Sequence, residues 1–216
     1  MTDASPVFER HYEDYLKQLK TLDLAAVGQE LGGEVADAQD GVRVTFSYLG
    51  RTYHVSPQAI LRPDGSRAGY DACIVLCRYL IMGRDRGRTA SAPEVKANTE
   101  WVGFRDLKES GPLTVYFRDN VETALTGALS GKTGAAEAIV SHLQGRVPDM
   151  DLSYDLVMEI PCLPEIPMLL LFNDAEDGFP ASTSVLFRGD VETYLDAECI
   201  AMTGYRLAAE IKKALN

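Results

Sequence analysis

Between Pro6 and Leu31 the apolar residues Phe8, Tyr12, Tyr15, Leu16 and Leu19 recur at three- and four-residue spacing. That is the stripe of an amphipathic helix, and Asp23 stands where it caps a second, short helix. The period then changes. Val42, Val44, Phe46 and Tyr48 alternate with polar residues, Leu49-Gly50 makes a tight turn, and Thr52-Tyr-His-Val55 returns, so a β-hairpin is predicted that Pro57 ends. Tyr70 to Met82, YDACIVLCRYLIM, is apolar on nearly every face and is followed by Gly83, which predicts a core helix with a glycine stop. GRDRGRTASAPEVKANTE has no periodicity and reads as a long mobile loop over 84–98. Strands are predicted near Leu113 to Phe117, Tyr154 to Ile160, Pro167 to Phe172 and Thr183 to Phe187, with helices between and after them. The order gives an α+β fold, a single domain over 1–216 with a mainly antiparallel sheet and packed helices, and does not give a doubly wound nucleotide fold.

An internal echo bears on this architecture. Val115 to Leu125, VYFRDNVETAL, matches Val185 to Leu195, VLFRGDVETYL, at seven of eleven positions with a constant offset of 70. Two strand-then-helix units, 111–145 and 181–215, are predicted from it, each with an Arg at the strand end and an Asn or Asp capping the next helix.

Composition narrows the function classes. With 216 residues, 46% of them hydrophobic and 25% charged, the chain has material for one sizeable core. A formal charge of −11 repels a phosphate backbone, so nucleic acid is not an expected partner. MTDASPVFERHYEDY has no export signal pattern, and no apolar run reaches the ~20 residues of a membrane span, so a cytoplasmic protein without membrane association is expected. Cys73, Cys77, Cys162 and Cys199 then read as reduced, buried packing residues.

The candidate chemistry is sparse. Ser130-Gly-Lys-Thr133 has the end of a phosphate-binding loop, but position 126, where that motif needs glycine, is Thr. Cys73 and Cys77 share a helix face, yet lack the close turn spacing of zinc or cluster ligands. His11, His54 and His142 have no neighbouring nucleophile frame, and Arg84, Arg86 and Arg88 form a basic run in the long loop. The densest acidic stretch is FNDAEDGFP, residues 172–180, with Asn173, Asp174, Glu176 and Asp177. A helix-loop-helix calcium site is excluded there, because Ala175 and Ser184 fall where oxygen ligands are required.

Several ordered landmarks resemble a bacterial and archaeal family, the domain of unknown function number 3786. They are Leu49-Gly-Arg-Thr-Tyr-His-Val55, Trp101-Val-Gly-Phe-Arg-Asp-Leu107, Leu163-Pro-Glu-Ile-Pro167, the block from Phe172 to Phe187, and Tyr194-Leu-Asp-Ala-Glu-Cys-Ile200. The resemblance covers nearly the whole chain. It implies no assigned activity or catalytic residue. Some members are described as iron–sulfur proteins, some carry a ferredoxin-like cysteine segment, and the family is frequent in anaerobes. This chain lacks that cysteine segment, so the resemblance implies an iron–sulfur or corrinoid protein as a partner rather than a cluster here.

The residues and the resemblance together lead to an accessory or binding protein of anaerobic metal or cofactor metabolism, leaning away from an enzyme and with no cofactor expected. Its recognition surface would be the acidic loop with Trp101. The alternative is a metal-assisted hydrolase with Asp174, Glu176 and Asp177 as ligands and Arg188 stabilising an anion. A metal or iron–sulfur carrier using the cysteines ranks third.

Overall fold

The computed structural model describes residues 6–38, 41–89, 100–132 and 134–216, with 85–89 described as backbone. Two helices open the chain, α1 (Pro6–Leu19) and α2 (Leu24–Glu30), and the Asp23 side chain accepts the Ala26 N–H at 3.1 Å as an N-cap. A first antiparallel sheet follows in the order β1 (Glu34–Ala38), β2 (Gly41–Tyr48), β3 (Arg51–Val55) and β4 (Ile60–Leu61). The predicted hairpin is its centre, with Tyr48 opposite Arg51. The outer strands β1 and β4 escape the sequence pattern because β1 is exposed at all five positions and β4 has only two residues.

The core helix α3 spans Tyr70–Thr89 and does not stop at Gly83. That glycine serves packing instead: a Cβ there would meet Leu31 Cδ1 at 2.5 Å, so its bare backbone lets α3 approach the end of α2. The expected mobile loop over 84–98 is therefore helix as far as Thr89, and 90–98 lie outside the described residues. The side chains of Arg86 and Arg88 lie outside them too.

The second sheet, also antiparallel, has the order β5-β8-β7-β6, with β5 at Trp101–Gly103, β6 at Leu156–Leu163, β7 at Ile166–Asn173 and β8 at Ser182–Arg188. The Leu49 N–H joins the two sheets by donating to the Cys162 carbonyl at 2.9 Å. Between β5 and β6 the chain forms α4 (Thr114–Phe117), a π-helical segment Arg118–Glu122, α5 (Thr123–Leu129) and α6 (Ala135–Leu143), and α7 (Ala197–Ala214) closes the domain.

The strand predicted near Leu113 to Phe117 is thus helix, and the two echoing segments adopt different structures. In the second copy Val185 and Phe187 are buried in alternation on β8; in the first, Phe117, Val121, Leu125 and Leu129 are buried every fourth residue. Flanking residues set the period that the shared residues follow. The predicted caps also differ: the Asn120 side chain donates to the Tyr116 carbonyl, and Asp190 makes no side-chain cap, whereas Asp196 caps α7 by accepting the Cys199 N–H. What survives of the echo is one role. Glu122 accepts the Val185 N–H at 3.3 Å and Glu192 accepts the Lys108 N–H at 3.0 Å. The first of these matters for the sheet. β5 covers only residues 186–188 of β8, and beyond it Glu122, with Thr126 on Thr183, takes over the strand edge.

Candidate functional site

The acidic stretch is the connection of the β7–β8 hairpin, which closes where Asn173 pairs with Ser182. Within it Glu176 and Phe179 exchange two backbone hydrogen bonds, at 3.1 and 2.9 Å, around Gly178, whose φ of 89° suits glycine. The loop is tied down from two sides. Asp174 Oδ2 accepts the Gly131 N–H at 2.7 Å, so the Ser130-Gly131-Lys132 string donates to a protein carboxylate. Asp155 Oδ2 accepts the Asp174 N–H at 2.7 Å, and Asn173 Oδ1 accepts the Asp155 N–H at 3.3 Å. Three chain segments distant in sequence are locked together by side chains that a solvated tip would not need.

Two of these segments, 152–155 and 173–182, line an open cleft of about 810 Å³ whose lining includes Leu152, Tyr154, Asp155, Asp174, Glu176 and Phe179. Its chemistry is mixed. Phe179 is 76% exposed and Tyr154 40%, and Val147, Met150 and Leu152 are exposed as well on the irregular segment that approaches it. Large apolar side chains clustered at the surface are the informative kind of exposure. Residues 149–155 and 173–180 hold six acids, Asp149, Asp151, Asp155, Asp174, Glu176 and Asp177, and no Lys or Arg. The surface is therefore apolar and anionic together.

Trp101 and Arg188 stand elsewhere. They are cross-strand partners, with the Arg188 guanidinium 3.9 Å from the Trp101 ring centroid, a cation–π contact. Arg188 is six residues along β8 from Ser182, about 20 Å at the strand rise. The structure thus separates the expected site residues into two groups at opposite ends of one strand.

The four cysteines are free and buried, and desolvation pushes each thiol upward. Among the described residues no three His, Cys, Asp or Glu side chains are placed to hold a metal ion.

A second polar cluster has no counterpart in the sequence reading. Glu210 on α7 is fully buried, and both its oxygens are occupied. Oε2 accepts from Arg51 Nη2 at 2.8 Å and pairs with His142 Nε2 at 3.0 Å; Oε1 accepts from Arg206 Nε at 2.8 Å and Lys213 Nζ at 3.0 Å. Arg206 also donates to Asp71 and to the Tyr53 hydroxyl. Burial alone would raise the Glu210 carboxyl, but hydrogen bonds from His142, Arg51 and Lys213 and the charge of Arg206 outweigh it and hold the carboxyl at about 2. The turn makes this convergence. Leu49 and Gly50 both have positive φ, 48° and 73°, and a Cβ on Gly50 would lie 2.4 Å from the His142 carbonyl, so the glycine seats Arg51 beside the end of α6. The i,i+4 and i,i+3 spacing of Arg206, Glu210 and Lys213 is visible in the sequence; their meeting with residues of β3 and α6 is not.

No curated protein and no solved structure matches the chain. A family model does, over residues 23–210, which takes in both sheets, the cleft and Glu210. The chain belongs to the family described as the domain of unknown function DUF3786.

Proposed function

We propose that the protein is a binding protein whose cleft at the β7–β8 tip receives an extended, cationic and partly apolar segment of a protein partner. The observation that carries this reading is the pairing of exposed Tyr154 and Phe179 with six acids and no basic residue in the two segments that bear them. Aromatic side chains supply contact area at low entropic cost, and carboxylates around them select Lys or Arg and speed encounter. Trp101 and Arg188 lie outside this contact. The hydrolase alternative draws less support, because both Asp174 oxygens already accept backbone N–H groups, from Gly131 and from Ala175.

The test compares two baits in lysate of the source cells: the wild type and a variant with Glu176→Lys, Asp177→Lys and Phe179→Ala, which leaves the locking Asp155 and Asp174 in place. Partners retained by the wild type and lost by an equally stable variant, with retention falling as salt rises, are expected. Identical captured sets from both baits would refute the reading.

A further inference from the structure

Glu210 is surrounded by more positive charge than it can neutralise. Arg51, Arg206 and Lys213 face Glu210 and Asp71, three permanent cations against two carboxylates, and His142 adds a further positive charge when protonated, while the Tyr53 hydroxyl is a neutral neighbour. This local excess occurs in a chain whose net charge is −11. It also faces outward: the Arg51 and Lys213 side chains are 44% and 54% exposed and His142 is half-buried, above a fully buried carboxylate.

Donors are left over as well. The bond to Glu210 uses one of the five N–H groups of a guanidinium and one of the three of an ammonium. Among the described residues Glu210 is the one ion-pair partner of Arg51 and of Lys213. The buried carboxylate fixes three kinds of donor, from β3, α6 and α7, so that they converge before any ligand arrives. Its own charge is spent on the four groups that donate to it. A guanidinium edge beside an ammonium and an imidazole matches a tetrahedral dianion better than a single planar carboxylate.

We propose that Arg51, His142 and Lys213 form a binding site for a phosphate group, with Glu210 as the internal anchor that positions them. The site is independent of the cleft at the β7–β8 tip.

The experiment titrates the full chain with inorganic phosphate at constant ionic strength maintained with chloride, following the His142 ring signals by NMR and the melting temperature. A saturable shift of the His142 signals with a rise in melting temperature is expected, by mass action on the folded state. Arg51→Gln with Lys213→Gln is expected to weaken the apparent affinity by about tenfold or more, since two charge-assisted bonds are lost. Should the double variant fail to fold, Lys213→Gln alone leaves three donors on Glu210 and is expected to weaken binding by about threefold. Three results would overturn the proposal: no saturation up to about 50 mM phosphate, equal phosphate affinity in a folded variant, or equal saturation by acetate, which marks a carboxylate site.

Discussion

Replacing Glu210 by Gln removes one charge from a place where four donors depend on it. The amide keeps one acceptor oxygen but turns an NH2 group toward two of those donors, which lose their partner and face another donor. The magnitude follows from the carboxyl itself. A group that ordinarily titrates near 4.5 is held at about 2, and at 1.36 kcal/mol for each tenfold change in proton affinity the difference is about 3 kcal/mol. Arg51 and Lys213 are partly solvated, so screening trims this to roughly 2–3 kcal/mol. A loss of that size lowers the melting temperature of a domain this long by about 4–12 °C. Urea unfolding of wild type and variant from pH 7 to pH 2.5 measures it. Because the folded carboxyl lies below the unfolded one, its contribution is present above about pH 4.5 and is lost as pH falls toward 2. The gap between the two proteins therefore closes on acidification. A loss under about 1 kcal/mol at pH 7, or a gap that stays constant down to pH 2.5, would refute the account of Glu210 as a charged anchor.

Gly50→Ala adds a Cβ against the His142 carbonyl at a left-handed position and is expected to destabilise the fold by about 2 kcal/mol or more in the same unfolding assay. Glu122→Gln goes the other way: burial raises the Glu122 carboxyl, its oxygen still accepts the Val185 N–H as an amide, and stability at pH 7 should rise, with the advantage narrowing as pH falls and the native carboxyl protonates. All four thiols should resist iodoacetamide in the native state and react after unfolding in guanidinium, as counted by intact mass; rapid native labelling of any one would contradict their burial. Tyr154→Ala with Phe179→Ala should leave the unfolding free energy within about 0.5 kcal/mol of wild type, because both rings are exposed.

The sequence reveals most where one local period governs a whole element. The stripe of α1, the Asp23 cap, the alternation through β2 and β3, and the strands β6 to β8 are all legible, because each buries a face that its own spacing announces. The α+β class follows from their order. Failures have a common cause in contacts made at long range. Gly83 reads as a stop, but its neighbour is Leu31, and Leu113 to Phe117 reads as a strand from its β-branched and aromatic residues, while Phe117 stacks on Phe104 at 4.3 Å as part of a helix. The acidic loop is legible as a hairpin connection; its locking by Gly131 and Asp155, and the apolar Leu152 and Tyr154 that share its cleft, are not. The meeting of Arg51, His142 and Glu210 across more than half the chain leaves no local trace at all.

Selection from a random peptide display library tests the central reading most directly, because it needs no foreknowledge of the partner. The folded wild type should enrich peptides that combine Lys or Arg with aromatic or branched apolar residues, with binding that weakens as salt rises and that the Glu176→Lys, Asp177→Lys, Phe179→Ala variant loses. Enrichment without basic residues, or peptides that bind the wild type and the equally stable variant alike, would contradict it.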